Sequence, residues 1–152
     1  MNLRALLNKF ETVASWLQSP LLFVIRFYWG LSFARTGWGK LMHLDKTAAF
    51  FADLGIPVPK LNAIMAGSTE CVGGALLLVG LFSRVVSLPL IFTMLVAYAT
   101  ADRDALNAIF SDTDKFVSAA PFLFLLAALV VLVFGPGKLS LDALFFRRKS
   151  GS

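Results

Sequence analysis

AGSTECVGG, residues 66–74, places one glutamate among residues with almost no side chain, in a run from Leu61 to Phe82 that has no other charge. A carboxylate on an apolar helix is costly, so it is expected to face protein and to be paired there. Small neighbours let membrane helices approach backbone to backbone. At about 100° per residue, Ala63, Ala66, Gly67, Gly73, Gly74 and Leu77 fall within about 60° of Glu70, a face nearly bare of bulk with Cys71 just outside it. The stretch therefore predicts a helix packed tightly against another helix inside a membrane, with a polar partner opposite Glu70.

The composition agrees. Of 152 residues, 58% are hydrophobic and 15% charged, and the mean hydropathy is +0.78, against roughly 45–50% apolar and about 25% charged in soluble domains. The net charge of +5 is spread over short segments flanking apolar runs, with no basic patch interleaved with aromatics, which argues against nucleic-acid binding. One cysteine, Cys71, and one histidine, His43, exclude an intrachain disulfide, a CxxC redox pair and a metal site of several such ligands. There is no phosphate-binding glycine loop, HExxH or GxSxG.

Working outward, the fold is read as all-α, a bundle of four transmembrane helices preceded by an amphipathic interfacial helix. Residues 1–19 put Leu3, Leu6, Leu7, Phe10, Val13 and Leu17 at helical spacing and Arg4, Asn8, Lys9, Glu11 and Gln18 opposite, the pattern of a helix lying on a membrane surface. The stretch lacks the small-residue cleavage site of a secretory signal and is expected to be retained. Ser19-Pro20 reads as an N-cap and first helical position. It opens a first span at about 20–42, followed by spans at about 61–82, 84–101 and 116–134, each near the roughly 20 residues that cross the hydrocarbon. Together, 20–145 form the transmembrane domain. Pro89 should bend the third span, and Pro121 falls in the first turns of the fourth. DKTAAFFADLG, 45–55, predicts a short helix resting on one mouth of the bundle and capped by Gly55, and DALNAIF, 104–110, a second. Residues 146–152 form a basic tail whose final Ser150-Gly151-Ser152 has the composition of an appended linker.

Four spans put both termini on one side. Arg4, Lys9, Arg84, Lys138, Arg147, Arg148 and Lys149 lie there, against Lys46, Lys60, Arg103 and Lys115 on the other, so both termini are expected in the cytoplasm.

Ionisable residues inside the spans are Arg26, Arg35 and Glu70, with Lys40 near enough to an end to snorkel. In antiparallel helices Arg35 and Glu70 lie at one level, roughly 10–13 Å below the same surface. Arg26 lies far deeper and about 180° around the helix from Arg35. Arg35 is therefore the expected partner of Glu70, with Tyr28, Ser32 and Trp38 on the arginine's face and Tyr98 and Thr100 closing the site from the third span. Such a pair fits a ligand pocket, and equally a salt bridge that fixes helix register. Cys71 reads as a packing residue and His43 as an interfacial one.

The order Arg26, Gly30, Phe33, Gly37, Lys40-Leu41, GIPVP (55–59), Glu70, Gly73, LLLVGLFSR (76–84) and GPGKLSLD (135–142) resembles the DoxX family of small bacterial four-helix membrane proteins, over about residues 20–145. The resemblance implies a multi-pass protein of the bacterial inner membrane. It also implies a redox-associated subunit, similar to the DoxD-type subunit of thiosulfate:quinone oxidoreductase, with a quinone as candidate ligand and an oxidoreductase or stress-response complex as candidate partner. It transfers no catalytic residue set, so the catalytic residues stay unassigned. Besides a quinone-binding subunit, two readings stay open: a non-enzymatic scaffold or assembly factor, and a small-solute carrier acting as a homo-oligomer.

Overall fold

The computed structural model describes residues 3–146, and every regular element among them is helical. In chain order these are α1 (Leu3–Met42), α2 (Leu44–Asp53), α3 (Pro59–Val79), α4 (Ser83–Thr100), α5 (Arg103–Asn107), α6 (Thr113–Ser118), α7 (Ala120–Phe134) and α8 (Leu141–Phe146). The basic tail beyond Phe146 lies outside the described residues.

Two expected boundaries are corrected. No break occurs at Ser19-Pro20: α1 is a single helix of 40 residues with Pro20 inside it. The proline removes one intrahelical donor, yet the helix continues on both sides. Ser19 does not cap, because its hydroxyl instead accepts the Lys138 N–H at 3.3 Å from the loop after α7. The amphipathic stripe is thus the first part of one long helix, and Leu3, Phe10, Val13 and Leu17 on it are exposed. The helix expected over 116–134 is also shorter. Ala119 adopts an extended backbone that ends α6, and α7 begins at Ala120 with Pro121 in its first turn. Proline has no N–H to continue a preceding helix but suits the start of a new one.

Antiparallel packing follows from small residues at fixed spacing. Gly30 and Gly37 on α1 stand seven residues, about two turns, apart and so share a face; Gly67 and Gly74 do the same on α3. A Cβ on Gly37 would lie 2.2 Å from the Cys71 backbone nitrogen, and one on Gly74 2.3 Å from that of Ala34. No side chain fits between these backbones. The α1–α3 pair is the most extensive in the structure, and α3 continues onto α4, α4 onto α7, and α7 back onto α1. Phe33, Leu77, Val86, Leu90, Met94, Ala128 and Val131 form the core where these helices meet, with Phe124 edge-on to Phe33 at 4.6 Å.

At one end, called the α2 end, α2 lies on α3 and stops before Gly55, whose φ is +73°, as the sequence led us to expect. At the other, Gly80 (φ +75°) closes α3. Leu81 N–H reaches Leu76 O and Gly80 N–H reaches Leu77 O, the paired bonds of a Schellman motif. α4 then runs through Pro89 without a break. α8, which the sequence did not suggest, brings Asp142 beneath the start of α4, where its carboxylate accepts the Phe82 and Ser83 N–H groups at 2.7 and 2.9 Å.

Among the described residues α3 and α4 are long and apolar enough to cross a membrane. α7 is strongly apolar but only 15 residues long.

Candidate functional site

The α1–α3 glycine contact decides which side chains meet Glu70. From Gly37, Lys40 and Thr36 lie about 60° and 100° to one side around α1, whereas Arg35 points to the opposite face. Glu70, 2% exposed, is therefore met by Lys40 Nζ at 2.5 Å and by the Thr36 hydroxyl at 3.0 Å, both on Oε2. The Thr36 hydroxyl also lies 2.9 Å from Phe33 O.

This corrects the expected Arg35–Glu70 pair. Depth along the helices put the right level opposite Glu70, but the rotation of α1 turns Arg35 outward, where it is exposed. Its neighbours on that face leave with it. Tyr28 and Trp38 are mostly exposed, and the Ser32 hydroxyl donates back to Tyr28 O at 2.8 Å. Tyr98 is buried, but its hydroxyl donates to Phe116 O at 2.8 Å and its ring stacks on Phe116, so it braces α4 against α6. Lys40, expected to snorkel, is the residue that sequence reasoning missed. The signal for it was the Gly30–Gly37 spacing, which fixes the face of α1 toward α3.

Above the pair lies a cavity of about 420 Å³. Its polar groups are Glu70, Lys40, Thr36, Thr69, Thr93 and Asn62, with Thr100 and Asp102 at the α2 end. Phe50, Phe51, Leu54 and Ile56 from α2 and the following loop roof it, and Met65, Phe92, Met94 and Phe124 contribute apolar wall. Oε2 of Glu70 takes both of the donors above, and among the described residues Oε1 receives none. An ammonium has three donors, so Lys40 keeps N–H groups beyond the one given to Glu70. The arrangement offers the remaining Lys40 N–H donors and the free Glu70 oxygen as an acceptor in a largely apolar chamber. That is a site for a small, flat or chain-like molecule with a polar end. Among the described residues no group of His, Cys, Asp and Glu is arranged to hold a metal ion.

Arg26, the deepest cation, does different work. It is 1% exposed and its guanidinium donates to Leu77 O (3.2 Å) and Leu78 O (2.9 Å) at the end of α3, and to Leu139 O in the loop after α7. Leu77 O already accepts the Gly80 N–H, so Arg26 adds a second donor there and supplies one to Leu78 O, in the last turn of α3 where carbonyls run out of helical donors, and one to Leu139 O. Arg26 therefore closes the end of the structure away from the cavity.

The DoxX family model matches residues 21–103. The chain is 34% identical over 128 residues to "Inner membrane protein YphA" of Escherichia coli (strain K12), covering 80% of this chain and 88% of that one. It is 33% identical over 136 residues to "Uncharacterized membrane protein Rv3486" of Mycobacterium tuberculosis (strain ATCC 25618 / H37Rv), covering 85% and 83%. With "Putative oxidoreductase CatD" of Bacillus subtilis (strain 168) it shares 28% identity over 126 residues, covering 83% and 87%. No solved structure matches the chain at a significant level.

Proposed function

Since this chain belongs to the DoxX family of membrane proteins, we propose that it is a redox-associated membrane subunit whose Lys40–Glu70 cavity holds the head group of a quinone. The observation that carries the reading is a buried carboxylate paired with a half-buried ammonium, with unspent hydrogen-bonding capacity, at the floor of an apolar chamber. The oxidoreductase in the name of the Bacillus subtilis relative supports the redox class.

The chamber suits such a head. About 420 Å³ lies within the roughly 300–1,000 Å³ of small-molecule pockets, and aromatic and methionine walls favour a ring. A quinone supplies two-electron, two-proton chemistry when bound. Lys40 donates to a carbonyl oxygen and draws charge toward it. Glu70 holds Lys40 and Thr36 in place, and its second oxygen exchanges a proton with the head group. The apolar side chains of Phe51 and Leu54 lie over the head-group position at the α2 end. With one cysteine and one histidine in the chain, the electrons are assigned to a partner oxidoreductase. In the membrane, α1 from about residue 20, α3, α4 and α7 make four crossings, with both termini cytoplasmic by the distribution of flanking cations.

The test is mass spectrometry of the organic extract from protein purified in mild detergent. Stoichiometric quinone is expected in wild type and in Arg35→Ala, and its loss in Lys40→Met and Glu70→Leu. Absence of quinone from wild type, or equal quinone in the pocket variants, would overturn the proposal. One further observation favours a second reading, an assembly scaffold: the exposed apolar stripe at the start of α1. Partners that co-purify with wild type and with both pocket variants, but not with an α1 arm lacking that stripe, would support the scaffold instead.

A further inference from the structure

The walls of the cavity are not equally closed. Toward Gly80, α3 and α4 touch: a Cβ on Gly73 would meet Leu90 Cδ2 at 3.1 Å and Val86 Cγ1 at 3.4 Å. Toward the α2 end the same two helices line the cavity instead of filling it, with Met65 and Thr69 on one side and Thr93, Val96 and Ala97 on the other. Met65 and Phe92 line it while being 58% and 67% exposed, and both belong to helices fit to cross a membrane. A residue that lines a cavity and also faces outward marks its rim. At the α2 end Phe50, Phe51 and Leu54 lie over the cavity, with Phe50 itself 52% exposed, so the apolar edges of the opening run along α3, α4 and α2.

We infer that the cavity opens sideways between α3 and α4 into the bilayer, and that its ligand is a membrane-dissolved amphiphile whose uncharged head reaches Lys40 and Glu70 while its single tail lies in the α3–α4 cleft. The head is uncharged because Lys40 and Glu70 already compensate each other, and a third full charge there would be buried without a partner. The tail is apolar because Met65, Phe92 and Val96 offer it nothing to hydrogen-bond. The inference rests on the quinone reading for the chemistry of the head, but the portal has its own test.

A nitroxide is attached at Ala97→Cys in a Cys71→Ser background, in liposomes. Collisions with oxygen, which concentrates in lipid, are expected to exceed those with a water-soluble nickel chelate. The reverse order would make the cavity an aqueous vestibule entered past Thr100 and Asp102, and would overturn the portal. In parallel, Thr93→Phe/Ala97→Phe is expected to slow uptake of a decyl-tailed quinone from the bilayer by about tenfold or more, and that of a tail-less quinone from water by less than about twofold. Equal slowing of both probes, or of neither, would also overturn the portal. If wild type binds neither probe while the nitroxide reports lipid, the quinone reading falls and the lateral opening stands.

Discussion

Gly37→Ala tests the central contact of the structure. The new Cβ would fall 2.2 Å from Cys71 N, 2.6 Å from Gly67 O and 2.8 Å from Cys71 Cα, all backbone atoms that cannot swing aside. Ordinary van der Waals contact for a Cβ begins near 3.4 Å, so α1 and α3 must separate locally by about 1 Å. Overpacking of this kind typically costs about 1–3 kcal/mol, which for a chain of this size lowers Tm by between about 2 and 12 °C. The separation also reaches the site, because Thr36 is adjacent to Gly37 and its 3.0 Å bond to Glu70 would stretch beyond hydrogen-bonding distance. Thermal unfolding in detergent, followed by near-ultraviolet circular dichroism, should therefore show a lowered midpoint together with weakened quinone retention. Gly39→Ala is the control: nothing lies within 4 Å of its Cβ position, and alanine gains about 1 kcal/mol of helix propensity over glycine. A Gly37→Ala protein as stable as Gly39→Ala would refute the backbone contact and the rotation of α1 that follows from it.

Other expectations divide the charged residues by role. Arg26→Met removes the guanidinium donor from the Leu78 and Leu139 carbonyls, while Leu77 O keeps the Gly80 N–H, at about 1–3 kcal/mol for each group left unpaired, and a sharp fall in Tm is expected, whereas exposed Arg35→Ala should leave Tm near that of wild type. Lys40→Met alone leaves the buried Glu70 carboxylate unpaired and should destabilise more than the double variant Lys40→Met/Glu70→Leu, which removes both charges; equal loss in the two would show that the pair is not coupled. Asp142→Ala removes the cap on the first N–H groups of α4, with an expected cost of about 1 kcal/mol, and faster amide exchange at Phe82 and Ser83 is the readout.

Much of the architecture was legible because its signals are local. Gly55 after a short amphipathic stretch marked the end of α2 within two residues of Asp53, and the apolar runs placed α3 and α4 to within a few residues of Pro59–Val79 and Ser83–Thr100. The misread boundaries both involve proline, whose local meaning depends on what surrounds it. At Pro20 the neighbouring loop takes the Ser19 hydroxyl and the helix passes through; at Pro121 the chain turns. The site was legible in part. Glu70 was identifiable as a lone carboxylate among small residues, and depth along the helices put its partner at the right level. Which α1 residue met it depended on helix rotation, a tertiary property set by Gly30 and Gly37 against α3. Arg26 and Asp142 were unreadable as end-closers because their partners lie 51 to 113 and 59 to 60 positions away.

The reach of Arg26 also imposes an order on biogenesis. In the proposed four-crossing topology the residue is made early, in a helix that enters the membrane before either of its partner segments exists. Leu77 and Leu78 follow 51 and 52 residues later, and Leu139 only after 113. A nascent chain held at α2 would carry a guanidinium in lipid at a cost of about 2.5–3.5 kcal/mol at mid-bilayer, less toward the interface. Completion of α3 provides its first carbonyls, and the loop after α7 provides the last. The first helix thus reaches its final electrostatic state only when nearly the whole chain has been synthesised, and a chain ending at Phe134 would lack the last of those partners.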